Sequence, residues 1–157
     1  MLGLSYSLSH ARLPSSRTRA MKTISVKSQT GQECIDITSQ VQDVVRDSGV
    51  HTGYCLLYVP HTTAGITLNE GADPHVREDI LHFLSHAVPE KGDYRHLEGN
   101  ADAHIKSSLV GVSHTIPIQG GGLLLGTWQA VFFCEFDGPR TRRVCVQIVE
   151  STQQATT

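Results

Sequence analysis

This 157-residue chain has no apolar run that reaches the roughly 18 residues needed to span a bilayer. Its longest candidate, residues 123–136, is interrupted by Gly126, Thr127, Gln129 and Glu135. Positive charge is not in excess either: 13 Lys and Arg stand against 15 Asp and Glu, for a formal net charge of −2. A nucleic-acid binder would carry clustered Lys and Arg on a basic domain, so neither a membrane nor a nucleic acid is an expected partner. Cysteine is sparse. Cys34, Cys55, Cys134 and Cys145 lie far apart in apolar, strand-like stretches and form no Cys-x-x-Cys pair. They read as reduced, buried thiols of a cytoplasmic protein rather than as a zinc–thiolate site. There is also no Gly-x-x-x-x-Gly-Lys-Ser/Thr phosphate loop, Gly-x-Gly-x-x-Gly turn, Gly-x-Ser-x-Gly elbow or His-Glu-x-x-His pair. Those absences remove the main support for the common nucleotide-binding, serine-hydrolase and metalloprotease readings.

The length suits one domain with an ordinary core. Residues 1–21 stand apart, with Arg12, Arg17, Arg19, five serines and no acidic residue before Glu33. That composition suits a mitochondrial or plastid transit peptide, and also a tail or extension ahead of a start at Met21. Either way, the leader is expected outside the fold, residues 22–150 within it, and residues 151–157 as a polar tail. Residues 24–27 alternate as a strand, and residues 34–37, after the Thr30-Gly31 turn, read as its hairpin partner. Thr38 or Ser39 is placed to cap a helix bearing Val41, Val44 and Val45 and ending at Gly49. The apolar run 54–59 reads as a buried central strand, followed by a short strand over 66–68. Asp73-Pro74 opens a second helix, with Val76, Ile80, Phe83, Leu84 and Ala87 inward and His75, Asp79, His82 and His86 on a solvated stripe. A third helix covers Ala101–Val110. Strands follow over 115–118, 123–136 and 143–149, the last two joined by the turn signal Asp137-Gly138-Pro139-Arg140. Strands without strict β–α alternation, plus about three helices, predict an α+β fold with a mixed or mostly antiparallel, sandwich-like sheet.

Eight of the nine histidines fall between His51 and His114, two of them in segments dense with polar groups. In the first segment, His61 follows a strand, Thr62 and Thr63 add hydroxyls, and Gly65 permits close approach to the backbone. Asn69, Glu70 and Asp73 come next; Glu70 or Asp73 could join His61 on a metal, although Asp73 is also well placed as a helix cap. In the second, His96 precedes a helix start that sets Asn100 and His104 on one face and Asp102 and Lys106 on the adjacent one. That group suits a zinc or manganese site, acid–base chemistry, or merely a capped helix with surface histidines. Gly126 and Trp128 suggest a strand bulge and a stacking surface, or plain core. Arg140, Arg142 and Arg143 suit a phosphate, or solvated ion pairs.

The strings Pro60-His61-Thr62-Thr63-Ala64-Gly65-Ile66-Thr67-Leu68-Asn69-Glu70, Gly99-Asn100-Ala101-Asp102-Ala103-His104-Ile105-Lys106 and Leu125-Gly126-Thr127-Trp128-Gln129, with Glu135-Phe136-Asp137-Gly138-Pro139-Arg140, closely resemble the YjbQ-like family of secondary thiamine-phosphate synthase enzymes. The resemblance implies an α+β homotrimer with polar sites near subunit boundaries, a small-molecule substrate, phosphorylated ones included, and weak thiamine-phosphate synthase activity. It implies a divalent metal (Zn, Mn or Mg) on His61, His96 and His104. His61, Glu70, His96, Asp102, His104 and Lys106 are its implied catalytic residues, with Lys106 on phosphate. Thr62, Thr63, Asn69, Asn100, Trp128, Gln129 and Arg140 are its implied substrate contacts. Gly71 and His75 depart from the family pattern, which has Asn and Asp there. A non-catalytic trimer that binds a metabolite or metal is the alternative implied by the same residues.

Overall fold

The computed structural model describes residues 16–151. Two antiparallel sheets dominate. In the larger, β1 (Ser16–Thr18) and β2 (Lys22–Lys27) both pair with β9 (Thr141–Ser151). The other edge of β9 takes β4 (Thr52–Tyr58), and β6 (Ser113–Gln119) and β7 (Gly122–Leu123) complete the sheet. The smaller sheet runs β3 (Glu33–Asp36), β8 (Gln129–Glu135), β5 (Ala64–Glu70), with β8 in the middle. Three helices, α1 (Thr38–Ser48), α2 (Pro74–Ala87) and α3 (Ala101–Val110), join them, giving the expected α+β class. No helix among the described residues is long and apolar enough to cross a membrane.

Period-two alternation sorts side chains between layers. Cys55 and Leu57 of β4, Ile116 and Ile118 of β6, and Val144, Val146 and Ile148 of β9 meet Ile66, Val131 and Phe133 of the smaller sheet and Val41 and Val45 of α1. Each fully buried Val, Ile or Leu in this core contributes about 1.5–3 kcal/mol. On the far face of the smaller sheet, Ala130, Phe132 and Cys134 receive Leu84 of α2 and Ala103 of α3. The smaller sheet is therefore covered on both faces, and β8 is buried from Ala130 to Glu135. Gly53 of β4 lies so close to β9 that a Cβ there would collide with the Val149 carbonyl. Only glycine fits that crossing.

Five sequence expectations change. Residues 24–27 and 34–37 are not a hairpin: β2 pairs with β9 and β3 with β8, so the two strands enter different sheets. The apolar run after Thr52 is covered on one face only, since Tyr54, Leu56 and Tyr58 point outward at 37–47% exposure. The long strand over 123–136 is two strands with an exposed turn between them, and Trp128 is 63% exposed on that turn. Helix α1 starts after Ile37 with no side-chain cap, because the Thr38 hydroxyl donates to Asp36 Oδ1 and accepts the Val131 amide instead. Finally, the fold begins before residue 21. Ser16–Thr18 pairs with residues 149–151, and the Arg19 amide donates to the Ile148 carbonyl. Other signals hold: Gly49 ends α1 in the left-handed region, and Asp73 caps α2 by accepting the His75 amide at 2.9 Å. The stripe His75, Asp79, His82 and His86 is solvent-exposed, and on the predicted inward face Leu84 is buried while Phe83 and Ala87 are exposed.

Candidate functional site

The site begins where pairing between β4 and β9 stops. The last register pair is Tyr58 with Cys145. Beyond it the Arg143 amide would have no partner on that side, and the His61 side chain supplies one: Arg143 N–H donates to His61 Nε2 at 3.0 Å. An imidazole that accepts at Nε2 while neutral carries its proton on Nδ1, so His61 has an N–H donor as its remaining polar atom. Burial, with the Arg142 and Arg143 guanidinium charges, holds its pKa below the ordinary 6.5. His61 is therefore neutral at physiological pH.

A buried ion pair fixes the loop that carries it. Arg142 Nε and Nη2 donate to the two Glu135 carboxylate oxygens at 2.7 and 2.6 Å, with Glu135 wholly buried and Arg142 nearly so. Arg142 Nη2 also donates to Thr63 Oγ1 at 2.8 Å, two residues beyond His61. Glu135 Oε1 accepts the Phe136 and Asp137 amides, and the Ser28 hydroxyl donates to Oε2 at 3.3 Å. This carboxylate is well satisfied, as burial demands. Of the arginines expected on a phosphate or in solvated ion pairs, Arg142 is instead in a buried pair, and Ser28 carried no motif signal. Strand parity did hold the clue, because Arg142 shares the inward face of Val144, Val146 and Ile148.

Helix α3 brings the second segment alongside. His104 is half-buried and lines, with His61, Thr62, Pro60, Ser107 and Ser108, a groove of about 590 Å³. His96 meets His104 edge to face, ring centroids 5.1 Å apart. Lys106, expected on a phosphate, lies on the other side of the helix: it is 0% exposed and its Nζ donates to Asp102 Oδ2 at 2.8 Å. It serves as counter-charge to Asp102 under α3 and is withdrawn from the groove. Asn100 sits at the cap position but does not cap; its Nδ2 donates to Asp137 Oδ2 at 3.1 Å and ties α3 to the β8–β9 turn. Arg140 leans on the same Asp137 carboxylate at 2.9 Å while remaining half-exposed. Thr63 is buried on Arg142, so the groove-lining hydroxyl of that pair is Thr62.

The other expected residues gather elsewhere. Register pairs Ala64 with Glu135 at one end of β5 and Glu70 with Gln129 at the other, six residues on, a separation of about 20 Å. Asn69, Glu70, Trp128 and Gln129 share that far end, where the Gly71 amide donates to the Trp128 carbonyl at 2.8 Å. Glu70 Oε1 accepts the Ala72 amide, and Asp73 is occupied in capping α2. Gly71 has a local reason here: a Cβ would come within 2.7 Å of Ala130 Cβ. One chain thus carries two polar clusters, one at each end of the smaller sheet.

The metal expectation meets a donor set that is incomplete within one chain. Among the described residues no group of three or more His, Cys, Asp or Glu side chains is placed to hold a metal ion. His96 and His104 adjoin, while His61 Nε2 is engaged by a backbone amide. Two imidazoles are available together; the third is not.

The depressed pKa of His61 carries a stability signature. A folded-state value below the unfolded one means that the folded chain binds fewer protons across the interval between them. The stability is complete above pH 6.5 and is lost as pH falls through the folded value. Protonation at Nε2 would also set two donors against each other at Arg143. His61→Gln is expected to flatten the acid-side fall of the urea midpoint; equal slopes in both proteins below pH 6.5 would remove this role from His61.

These features define a class: a small α+β domain with two facing antiparallel sheets, helices backing one of them, and a histidine-lined groove beside a buried Arg–Glu pair. The profile of the family described as UPF0047 protein YjbQ-like matches residues 22–151, and the chain belongs to that family. Relatives include UPF0047 protein MJ1081 of Methanocaldococcus jannaschii, 55% identical over 79% of this chain and 90% of the relative. UPF0047 protein YugU of Bacillus subtilis is 46% identical over 82% of this chain and 98% of its own. Among solved structures, an uncharacterised YjbQ/UPF0047 protein from Clostridium acetobutylicum superposes with a TM-score of 0.80 at 52% identity, covering 81% of this chain and 98% of that one. A protein of unknown function from Sulfolobus solfataricus gives 0.82 at 34% identity, covering 87% and 100%.

Proposed function

We propose that this chain is a small-molecule enzyme working as a homotrimer, whose site joins the His61–His104 groove of one copy to the Glu70–Trp128 end of the next. The observation that carries this reading is the split of the polar residues between the two ends of β5, too far apart to serve one small substrate within a chain. Apolar surface supports the assembly: Phe83 and Leu109, 69% and 64% exposed, border a groove of about 400 Å³ between α2 and α3. Exposed apolar side chains around a groove suit burial against a second copy.

Within the groove, His104 is the proton-transfer group and the His61 Nδ1–H donates to a substrate oxygen. Arg95, which lines a pocket with His96 and His104, and the exposed Arg140 and Arg143 are the candidate cations for a phosphorylated substrate, since Lys106 and Arg142 are buried in ion pairs. Trp128 and Gln129 of the neighbouring copy supply a stacking face and an amide. A divalent cation here would take His96 and His104 from one chain and further donors from substrate or the adjoining copy, and would supply Lewis-acid polarisation of a phosphate oxygen. The reading includes weak thiamine-phosphate synthase activity, in which a pyrimidine diphosphate loses pyrophosphate to attack by a thiazole nitrogen. Few free cations face the groove, which fits a slow rate for a step that expels pyrophosphate.

Mixed oligomers test the shared site. His104→Asn and Glu70→Gln chains, each expected to be inactive alone, are co-expressed and assayed for pyrophosphate release. Recovery to about a quarter of the wild-type rate is expected, the share of boundaries in randomly mixed closed rings that pair both intact halves. No recovery, with mixed trimers demonstrated by mass, would confine the site to one chain.

A further inference from the structure

Outside the groove, two thiols face each other across the smaller sheet. Cys34 of β3 and Cys134 of β8 are direct register partners, and their Sγ atoms are 3.3 Å apart. Direct partners on antiparallel strands have Cα atoms about 4.5–5.5 Å apart, inside the range that a disulfide spans. Bond formation needs the sulfurs to close to about 2.0 Å, a movement within the reach of two facing side chains, one of them on the edge strand β3. We propose that Cys34 and Cys134 are a reactive dithiol that exchanges with small-molecule disulfides to form a reversible cross-strand bond between β3 and β8.

Access and ionisation divide the roles. Cys34 is half-buried and Cys134 only 1% exposed, so an incoming disulfide meets Cys34 first. The hydrogen bond from Cys134 lowers the Cys34 pKa most, burial opposes it, and the nearby Arg77 charge lowers it further against a smaller opposing effect of Glu33. Donating that hydrogen bond, together with burial, pushes Cys134 up, so Cys134 keeps its proton. The Cys34 thiolate attacks one sulfur of the small disulfide, its S–S bond breaks, and one small thiolate leaves carrying the electron pair. Cys134 then gives its proton to a departing small thiolate, its sulfur attacks Cys34 Sγ, and the second small thiolate leaves. Two protein thiols are oxidised to one disulfide, and one small disulfide is reduced to two thiols. The other two cysteines have no such partner. Cys55 is wholly buried in the main core, which pushes its thiol up to about 12, and Cys145 lies on the outer face of the other sheet.

The bond would matter to the groove through the chain on either side of it. Cys134 precedes Glu135, which holds Arg142 and the His61 loop. The turn before β3 contributes Ser28 to the same carboxylate, and its Gly31 carbonyl accepts the Gly138 amide. Oxidation would staple the edge strand β3 onto this scaffold.

The full chain is exposed to glutathione disulfide, quenched with an alkylating agent, and mapped by peptide mass. A Cys34–Cys134 linked peptide, two hydrogens lighter than its reduced parts, with Cys55 still alkylated, is expected, and dithiothreitol should restore both thiols. Stable glutathione on Cys34 with Cys134 reduced would overturn the proposal, as would two unmodified thiols. In Cys134→Ser, the reaction is expected to stop at the Cys34–glutathione adduct. An unreacted Cys34 in that variant would overturn its role as the attacking sulfur.

Discussion

Arg142→Met is expected to lower folding stability by about 3–5 kcal/mol, because it leaves the Glu135 carboxylate buried without its counter-charge. The methionine fills much of the volume vacated by the arginine stem, so lost packing is a minor part of the change. What remains is a carboxylate holding two backbone amides and the Ser28 hydroxyl, enough to orient it but not to neutralise it. Charge removal at both ends separates the causes: Arg142→Met with Glu135→Gln is expected to recover most of the loss. The measurement is the urea midpoint at one fixed protomer concentration, since the proposed assembly would make stability concentration-dependent. A loss within the roughly 0.2–1 kcal/mol of exposed pairs would show that the pair is screened by solvent rather than enclosed. A second consequence is local. Thr63 Oγ1 loses its donor, so the loop presenting His61 loosens even where the chain stays folded.

Substitution of His104 separates chemistry from folding. His104→Asn is expected to lower kcat for pyrophosphate release by about 10²–10⁴-fold, the usual worth of a positioned proton-transfer group. The thermal midpoint should change little, because the side chain is half-buried on a groove wall and, among the described residues, its ring makes no hydrogen bond. The His96 ring, in edge contact at 5.1 Å, is expected to give a smaller effect when replaced by Asn, through the position of His104. A His104→Asn protein that retains its rate would return the groove to a binding role and favour the non-catalytic reading. Metal content of the same two proteins is informative in parallel: loss of a divalent ion only in the variant would place that ion on the imidazole pair.

Much of the fold was legible because local signals and burial agreed. Gly49 closes α1, whose Val41 and Val45 are buried, and Asp73-Pro74 opens α2, whose Leu84 is buried, whereas α3 buries Asp102, Lys106 and Ser107 and leaves Ile105 and Leu109 exposed. Partner choice between strands was less legible, since alternation reports which face a strand buries and not which neighbour it meets. Residues 24–27 and 34–37 looked like a hairpin because a Gly-containing turn separates them. Long-range pairing with β9 and β8 overrode that signal. Exposed aromatic residues deceived in the same way: Tyr54 and Tyr58 read as core in a continuous apolar run, yet they occupy the uncovered face of their strand. In the candidate site, the density of polar groups drew attention to the segments of His61 and His104, which the fold brings to one groove. It could not say that Lys106 turns inward to Asp102, because one helix position decides between groove and interior. Nor could it show that Glu70 and Trp128 stand at the far end of the sheet. Distance along β5 had to be measured against the register with β8.

The order in which the strands occur along the chain has a bearing on synthesis. Each sheet is organised around a strand that is made late: β8 joins β3 to β5, and β9 joins β1 and β2 to β4. Residue 16 finds its partner at residue 151. While the polypeptide is still emerging from the ribosome, β2 through β5 have apolar residues and no central strand to hold them together. Neither sheet can close until its late central strand has been made, so the nascent chain must stay unaggregated at least until β9 has emerged.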